Sequence, residues 1–293
     1  MKNILLTGSL GLLGRNVSRR LLSKNFCVHG ITSNPSFKSA EKMKMYCVDF
    51  ASNWSEEILP KKIDTIIHLA QTRNFRNFPN NAIEIFKVNI ESTARLLDYA
   101  KRAGVKKFIY ASSGGVYGAA IRPLTESDSI VPTGELGYYL GSKACSEILV
   151  QSYSSILQVI ILRPFFIYGP GQDRNMLIPR LMDSISSCKL ITLQGENGIH
   201  INPIHVEDAG AAVVACLTLE KSGIFNLAGP NVLSIREICE GMGHYLDVRP
   251  KFEKQFGEPN DLIADISAMK QKLVIPSHSL MNSFKDVAKD SKK

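Results

Sequence analysis

Tyr139 and Lys143 stand four residues apart in the stretch YYLGSK, the spacing that stacks two side chains on one face of a helix. A phenol beside an ammonium ion is an acid/base unit, because the positive charge favours phenolate and draws down a phenol pKa that starts near ~10. Tyr138 is five residues from Lys143 and swings off that face. Tyr and Lys at this spacing also occur on solvated helices, so the pair gains meaning only from what surrounds it.

A second group able to do chemistry lies at the start of the chain. In TGSLGLLG, Gly8, Gly11 and Gly14 follow an apolar segment and open an amphipathic one. Glycines at a strand-to-helix junction allow a tight turn, a close backbone approach to a pyrophosphate, and packing of the helix on the sheet, with the helix N-terminus facing the anion.

The elements that must position these residues follow from hydrophobic patterning. Short apolar runs (NILLTG, CVHGIT, MYCVDF, DTIIHLA, KKFIYASS and LQVIILRP) alternate with amphipathic stretches, among them a helix ending near Lys24 and a long one over 81–102. Strands that are apolar throughout and separated by helices imply a parallel sheet covered on both faces. The pattern therefore predicts an α/β, doubly wound, Rossmann-type sheet over residues 1–165, with 203–222 returning to it. Beyond Pro164 the chain turns rich in Gly, Pro and polar residues, which predicts a smaller, partly discontinuous domain from 166–202 and 223–293. The tail after Phe284 is polar and is expected to fray.

The 293 residues suffice for a large buried core. Six cysteines (Cys27, Cys47, Cys145, Cys188, Cys216 and Cys239) show no metal or redox spacing, and most sit in apolar sequence as buried thiols do, so a reducing cytoplasm is the expected compartment and no metal is expected. The formal charge of +8 is spread along the chain, partly in KRAGVKK and the KDVAKDSKK tail, without a nucleic-acid-binding motif. It suits solubility or an anionic small substrate. The N-terminal apolar run is broken by glycines and lacks a small-residue cleavage site, so it reads as mature structure. No apolar run reaches the roughly 18 residues that a membrane span needs.

With these segments in order, the chain resembles the extended short-chain dehydrogenases/reductases, specifically the NAD-dependent epimerase/dehydratase branch that acts on nucleotide sugars. The resemblance rests on TGSLGLLG, VDF, IIHLA, VNIESTARLLDYAKRAGVKKFIYASSGGVYG, YYLGSKACSE, LRPFFIYGPGQ, NPIHVEDAG, FNLAG and ADIS, and covers nearly the whole chain. It implies that the Tyr-x-x-x-Lys pair is Tyr139 and Lys143, completed by Ser113, with Ser112 as the adjacent alternative. Tyr139 would exchange a proton with a sugar hydroxyl or carbonyl. Lys143 would hold the nicotinamide ribose and lower the Tyr139 pKa, and Ser113 would bond the reacting oxygen.

The same resemblance implies cofactor contacts from Gly8, Leu10, Gly11, Leu12, Leu13 and Gly14 at the first turn, and from Thr32, Ser33 and Asn34 after the second strand. It adds Asp49 and Phe50 at the adenine, Leu69, Ala70 and Asn89 in the groove, and Pro164 and Ile167 beyond it. Substrate contacts would come from Ser113, Gly114, Tyr138 and Phe166, with Tyr138 also open to simple packing and Asp49 also open to capping the segment that follows. His68 and His205 read as satisfied structural histidines, and Asp208 as the cap of the helix it precedes. The family also implies a homodimer built on the 81–102 helix and the Tyr139 helix.

Three departures from the family pattern bear on activity. The turn after CVHGIT carries Thr32, Ser33 and Asn34, followed by Lys38, where a carboxylate would select NAD and an arginine NADP, so both cofactors stay open. Gly114 and Gly115 replace the acidic pair that drives dehydration, which argues against water loss. Phe166 stands for an asparagine and Ile201 for an arginine that grips a diphosphate, a charge that Arg174, Arg180, Lys189 or Arg236 would have to supply. The expected activity is hydride transfer at sugar C4 of the epimerase type, with an NADPH-dependent 4-ketoreductase as the alternative and a dinucleotide-binding sensor or scaffold behind both.

Overall fold

The structure is a computed structural model that describes residues 2–35, 37, 43–120, 122–132, 134, 136–257 and 260–288. In chain order its elements are β1 (Asn3–Thr7), α1 (Leu12–Ser23), β2 (Cys27–Thr32), β3 (Lys44–Cys47), β4 (Thr65–His68), α2 (Ala82–Ile85), a π-helical turn (Phe86–Glu91), α3 (Ser92–Arg102), β5 (Lys107–Ala111), α4 (Gly137–Ser152) and β6 (Gln158–Pro164). There follow α5 (Leu177–Ser186), β7 (Leu190–Gln194), β8 (His200–Ile201), α6 (Val206–Ala215), β9 (Gly223–Leu227), β10 (Leu233–Ser234), α7 (Ile235–Leu246), β11 (Lys251–Gln255), α8 (Ser267–Lys272) and α9 (Phe284–Ala288). The chain divides into two compact units, one of Met1–Gly118, Ser129–Arg163 and Gly210–Phe225, the other of Ala119–Asp128, Pro164–Ala209 and Asn226–Lys293.

The first unit is organised by a seven-stranded sheet in the order β3-β2-β1-β4-β5-β6-β9, with parallel pairing from β3 through β6. Ile4, Leu5, Leu6, Ile66, Ile67, Phe108 and Ile109 have no exposed surface, as a sheet covered on both faces requires. The strand order reverses at β1, which has β2 on one side and β4 on the other. In such sheets ligands enter the crevice at the carboxyl ends of the strands beside that reversal. Gly8 follows the end of β1, and Thr7 is in register with His68 at the end of β4.

The helix expected over 81–102 forms, with one irregularity. Its Phe86–Glu91 turn is π-helical, and the widened turn offers main-chain oxygens to side chains: Val88 O accepts from Ser92 Oγ at 2.6 Å, and Asn89 O accepts from Thr93 Oγ1 at 2.6 Å and Ser146 Oγ at 2.9 Å. Lys107, the last residue of the basic KRAGVKK stretch, is buried. Its ammonium donates to the oxygens of Cys216, Leu217 and Leu219 at 2.7 to 2.8 Å, and so ties down the short turn that follows α6.

The second unit contains the parallel pair β7-β11, the antiparallel pair β8-β10, and an apolar core supplied by α5, α7 and α9. Among the described residues, the fraying expected after Phe284 does not reach 285–288, which continue α9. Phe284 and Val287, on one face of α9, are only 4% and 2% exposed, and that burial holds the polar segment in place; residues 289–293 lie outside the described residues. Asp208 is likewise not an N-cap. It sits inside the first turn of α6 and accepts from Ser277 N and His278 N at 3.0 and 2.9 Å, anchoring a distant loop. His205 is buried, accepts from Glu207 N at 3.3 Å and stacks on His278 with ring centres 4.6 Å apart.

The cysteines depart from the expectation of general burial. Cys216 and Cys239 are buried, Cys27 is intermediate, and Cys47, Cys145 and Cys188 are exposed; all six are free. Among the described residues no cluster of His, Cys, Asp or Glu could hold a metal ion, and no helix is long and apolar enough to cross a membrane.

Candidate active site

Helix α4 carries a polar face inward. Tyr139, Lys143 and Glu147 follow one another at single-turn intervals and are 7%, 1% and 0% exposed. The Tyr139 hydroxyl donates to Gln71 Oε1 at 2.8 Å, and its ring meets Phe75 at 4.9 Å between centres. The Arg76 guanidinium in turn lies 4.4 Å over the Phe75 ring. The Lys143 ammonium donates to Ala111 O at 2.9 Å, 5.2 Å above the Tyr110 ring and 6.0 Å from the Tyr139 ring centre.

These positions alter both acidities. Burial raises the Tyr139 pKa, while the Arg76 charge and a hydrogen bond from Ser113 pull it the other way. Burial also lowers Lys143 to about 7, against the attraction of Glu147. The depression of Tyr139 expected from its neighbour is therefore absent in the protein alone. A lysine titrating near neutrality is only partly charged, and its ammonium faces Ala111 O rather than the phenol.

Ser113 caps the short turn Gly114–Tyr117, its Oγ accepting from Gly115 N at 3.2 Å. It is half-buried and adjoins Tyr139, whereas Ser112 is buried with its hydroxyl unpartnered. Gly114 is buried in the same turn. A Cβ at Gly115 would come within 2.8 Å of Leu140 Cδ2, so the turn is shaped around that leucine. Tyr138 turns the other way: its ring stacks on Phe78 at 4.7 Å and its hydroxyl donates to Ala82 O at 3.2 Å, which describes packing.

The glycine turn is held by a buried relay. Thr7 Oγ1 accepts from Leu69 N and Ala70 N at 3.1 Å each and lies 2.6 Å from His68 Nδ1. With both NH groups accepted, its own proton must go to Nδ1, which places the imidazole proton on Nε2, 3.1 Å from Thr93 Oγ1. Burial brings His68 down to about 3, so it is a neutral structural link.

Each glycine has a different reason. Gly8 has φ +65°, and a Cβ there would stand 2.9 Å from Ala70 N; at Gly14 a Cβ would stand 2.0 Å from Gly8 O. Gly11 is exposed, a Cβ there would meet only Gly8 O within 4 Å, and it precedes α1 without a side-chain cap on the first turn. Leu10, Leu12 and Leu13 around it are partly buried.

At the end of β2, Thr32 Oγ1 accepts from Asn34 N at 3.0 Å, while Ser33 and Asn34 are exposed. Lys38 lies outside the described residues. Asp49 accepts from Ala51 N at 3.0 Å and so holds the following turn, the alternative left open by the sequence. The Phe50 ring is buried against Trp54 and His68. The Asn89 side chain is also spent internally, accepting from Thr72 N at 3.1 Å and donating to Ser142 Oγ at 2.8 Å.

Pro164, Phe166 and Ile167 belong to the second unit. Phe166 packs against that unit's apolar core with φ +45°, a left-handed conformation rare for an aromatic residue. Of the cations proposed to replace the missing arginine, Arg174 is engaged with Asp183, Pro179 O and Val287 O, and Arg236 with Glu196 O. Arg180 and Lys189 are exposed.

Residues 4–228 match the model of the NAD dependent epimerase/dehydratase family. The chain belongs to this family. It is 28% identical over 290 residues to the UDP-glucuronate 4-epimerase of Thermodesulfobacterium geofontis, covering 92% of this chain and 89% of that one. It is 27% identical to a trifunctional UDP-glucose 4,6-dehydratase/UDP-4-keto-6-deoxy-D-glucose 3,5-epimerase/UDP-4-keto-L-rhamnose-reductase of Arabidopsis thaliana, over 88% of this chain but only 41% of that protein, so the chain spans about two fifths of that relative's length. The solved UDP-glucuronic acid 4-epimerase of Bacillus cereus, in complex with UDP-glucuronic acid and NAD, has the same fold, with a TM-score of 0.86, 24% identity and 98% of each chain covered.

The cofactor in the family's name fits the first turn. Gly11 leaves a cradle that any side chain would fill, at a helix N-terminus with uncapped NH groups, and this is what a pyrophosphate needs. Sequence reasoning missed Gln71, Phe75 and Arg76 around Tyr139, and Glu147 and Arg163 behind Lys143. Glu147 carried a readable signal, since it lies one further turn along the Tyr139–Lys143 face; the loop residues carried none.

Proposed function

We propose that the protein is an NAD(P)-dependent enzyme that exchanges a hydride at one carbon of a nucleotide sugar, with a UDP-sugar 4-epimerase reaction as the leading reading. The observation that carries it is the buried Tyr139–Lys143 pair, with Ser113 against the phenol, in the same unit as a glycine turn open to a pyrophosphate. When bound, the nicotinamide supplies the acceptor and donor of the hydride. The chain's own residues handle the proton and the positioning.

In this reading Tyr139 exchanges one proton with the reacting sugar oxygen: as phenolate it takes the hydroxyl proton when the C–H bond breaks, and as phenol it returns it when the bond is remade, the phenol of the ligand-free protein having first given its own proton to solvent. Its proton is now given to Gln71 Oε1, a neutral acceptor that a substrate oxygen can replace. Ser113 donates to the reacting oxygen, and the Lys143 ammonium holds the nicotinamide ribose hydroxyls. Gly8, Gly11 and Gly14, with Leu10, Leu12 and Leu13, form the pyrophosphate turn. Leu69 and Ala70 present main chain fixed by Thr7, and Thr32, Ser33 and Asn34 lie toward the adenine ribose. Pro164, Phe166 and Ile167 are proposed for the side facing the nicotinamide and sugar. Dehydration is disfavoured, because Gly114 and Gly115 supply no acid.

The neutral Thr32–Asn34 turn favours a second reading, an NADPH-dependent 4-ketoreductase, since no carboxylate stands there to reject a 2′-phosphate. The two readings separate on the purified protein. Heat-released NAD near one per chain supports the epimerase; empty protein that binds NADPH more tightly than NADH and oxidises it with a 4-keto nucleotide sugar supports the reductase. Neither result, with no turnover across UDP-, GDP- and dTDP-sugars, would sink both.

The oligomer proposed is a homodimer through α4 and the 82–102 helical segment. Phe78, Ile83, Phe86, Tyr138 and Ile148 are exposed there, and Phe78, Ile90, Gly137, Tyr138, Gly141, Ser142 and Cys145 line an open groove of about 410 Å³. A monomeric mass by light scattering at micromolar concentration overturns it. Free and partly exposed thiols suit the reducing cytoplasm proposed as its compartment.

A further inference from the structure

Behind Lys143 lies an ion pair that the proposed reaction does not use. Glu147 and Arg163 are 0% and 2% exposed. Arg163 Nη2 donates to Glu147 Oε2 at 2.6 Å, and Nε donates to both carboxylate oxygens at 3.0 and 3.2 Å, while Nη1 donates to the Tyr117 hydroxyl at 2.6 Å. The guanidinium also lies 4.6 Å over the Tyr117 ring. Arg163 thereby joins three pieces of the candidate site: β6, the α4 face that bears Tyr139 and Lys143, and the turn that begins at Ser113.

Stability alone does not account for a pair so deeply buried. Withdrawing two charges from water is costly, and apolar residues of similar volume commonly serve a fold as well or better. What apolar residues cannot supply is a fixed negative charge one turn below Lys143. Resting on the reading that Lys143 holds the cofactor as an ammonium ion, we propose that Glu147 is a positioning residue that keeps Lys143 charged, with Arg163 clamping both Glu147 and the Ser113 turn to the same strand.

The surroundings of Lys143 leave little else to do this. The groups facing it are Tyr139 and Glu147 on α4, Tyr110 and Ala111 O on β5, and His68 on β4. Tyr139 and Tyr110 are raised by burial, and His68 is neutral down to about 3. Between pH 5 and 9 none of these three changes charge. Burial opposes the ammonium, and Glu147 is the one carboxylate that counters it, bringing Lys143 to about 7. Removing that charge must move the Lys143 midpoint to lower pH, because the positive form loses its partner.

The experiment measures NADH affinity by fluorescence from pH 5 to 9, with the melting temperature of each protein as the check on folding. In the wild type, affinity falls as pH rises through the Lys143 midpoint. Glu147→Gln should move that fall to lower pH by about one unit, equivalent to about a tenfold weaker charged form, and Lys143→Met should flatten the curve. Since Glu147→Gln takes the carboxylate from the buried Arg163, Glu147→Gln/Arg163→Met is the second variant; it leaves no lone charge there and should move the fall in the same direction by less, because a positive charge goes with the negative one. A folded variant of either kind with the wild-type profile overturns the inference, as does failure of both to fold, which would make the pair structural. A pH profile that survives Lys143→Met unchanged defeats the functional reading of Lys143 itself, a different result from an unmoved Glu147→Gln curve beside a flattened Lys143→Met one.

Discussion

The Lys143 ammonium lies 6.0 Å from the centre of the Tyr139 ring and gives its hydrogen bond to Ala111 O, so the two members of the pair share a helix face without bonding to each other. Burial acts on each separately, holding the phenol protonated and the amine near its midpoint at neutral pH. The pair is thus set against its own charged forms, a cost that the fold must carry and that bound ligand can relieve.

That cost is measurable. In the unfolded chain Lys143 titrates at its ordinary value near 10.5 and in the folded protein at about 7, so folding expels a proton between these limits. Lys143→Met should therefore raise the melting temperature of the ligand-free protein. The gain should be largest at and below pH 7, should fade as pH rises toward 10.5, and should vanish above it, where the wild-type amine is neutral in both states. Loss of the bond to Ala111 O offsets about 1 kcal/mol of it. A variant less stable than wild type at pH 7 would show that the lysine is not under strain.

The two adjacent tyrosines should separate cleanly. Tyr139→Phe removes the hydroxyl that moves the proton and should lower kcat by about 10²–10⁴-fold with cofactor affinity changed only a few-fold. Tyr138→Phe removes a hydrogen bond to Ala82 O and should leave kcat within about threefold, given a net worth of about 1 kcal/mol for such a bond. Steady-state kinetics with dinucleotide titration decides; the reverse pattern would refute the assignment of faces.

The alternation of apolar strands and helices made the parallel sheet legible, and β2 occupies the CVHGIT run to the residue. Four spacings also made the Tyr139–Lys143 face legible. What could not be read depends on where side chains end. The Phe50 ring packs on Trp54 and the Asn89 side chain bonds Thr72 N and Ser142 Oγ, contacts that a linear pattern does not show because other elements bring the partners in. The π-helical turn at Phe86–Glu91 leaves no mark in the sequence, because helical periodicity changes by a single residue there. The burial of α9 had a faint signal in Phe284 and Val287, three apart in an otherwise polar tail.

The glycine turn offers a paired test. Gly11→Val adds an exposed side chain at the mouth of α1, its Cβ 3.2 Å from Gly8 O, and should abolish dinucleotide binding while the melting temperature falls by no more than a few degrees. Gly14→Ala puts a Cβ 2.0 Å from Gly8 O and should destabilise the protein whether or not dinucleotide is present. Calorimetric titration and thermal unfolding of both variants check this. Normal binding by Gly11→Val would remove the pyrophosphate from this helix.

Phe166 supplies the last prediction, and it concerns strain. Its φ of +45° places an aromatic side chain in the left-handed region, at a cost of about 1–2 kcal/mol that Asn tolerates better than any residue with an apolar side chain. The same position carries asparagine in the family pattern, so the backbone suits the residue that this chain lacks. Phe166→Asn and Phe166→Ala both forfeit the packing of the ring on the second unit's core, but only Asn relieves the backbone. Phe166→Asn should accordingly be the more stable of the two by about 1 kcal/mol, despite bringing a polar group to a half-buried site. Denaturant midpoints at equal m-value measure the difference; an alanine variant as stable as the asparagine one would show that the ring, and not the backbone, sets the energetics of this position.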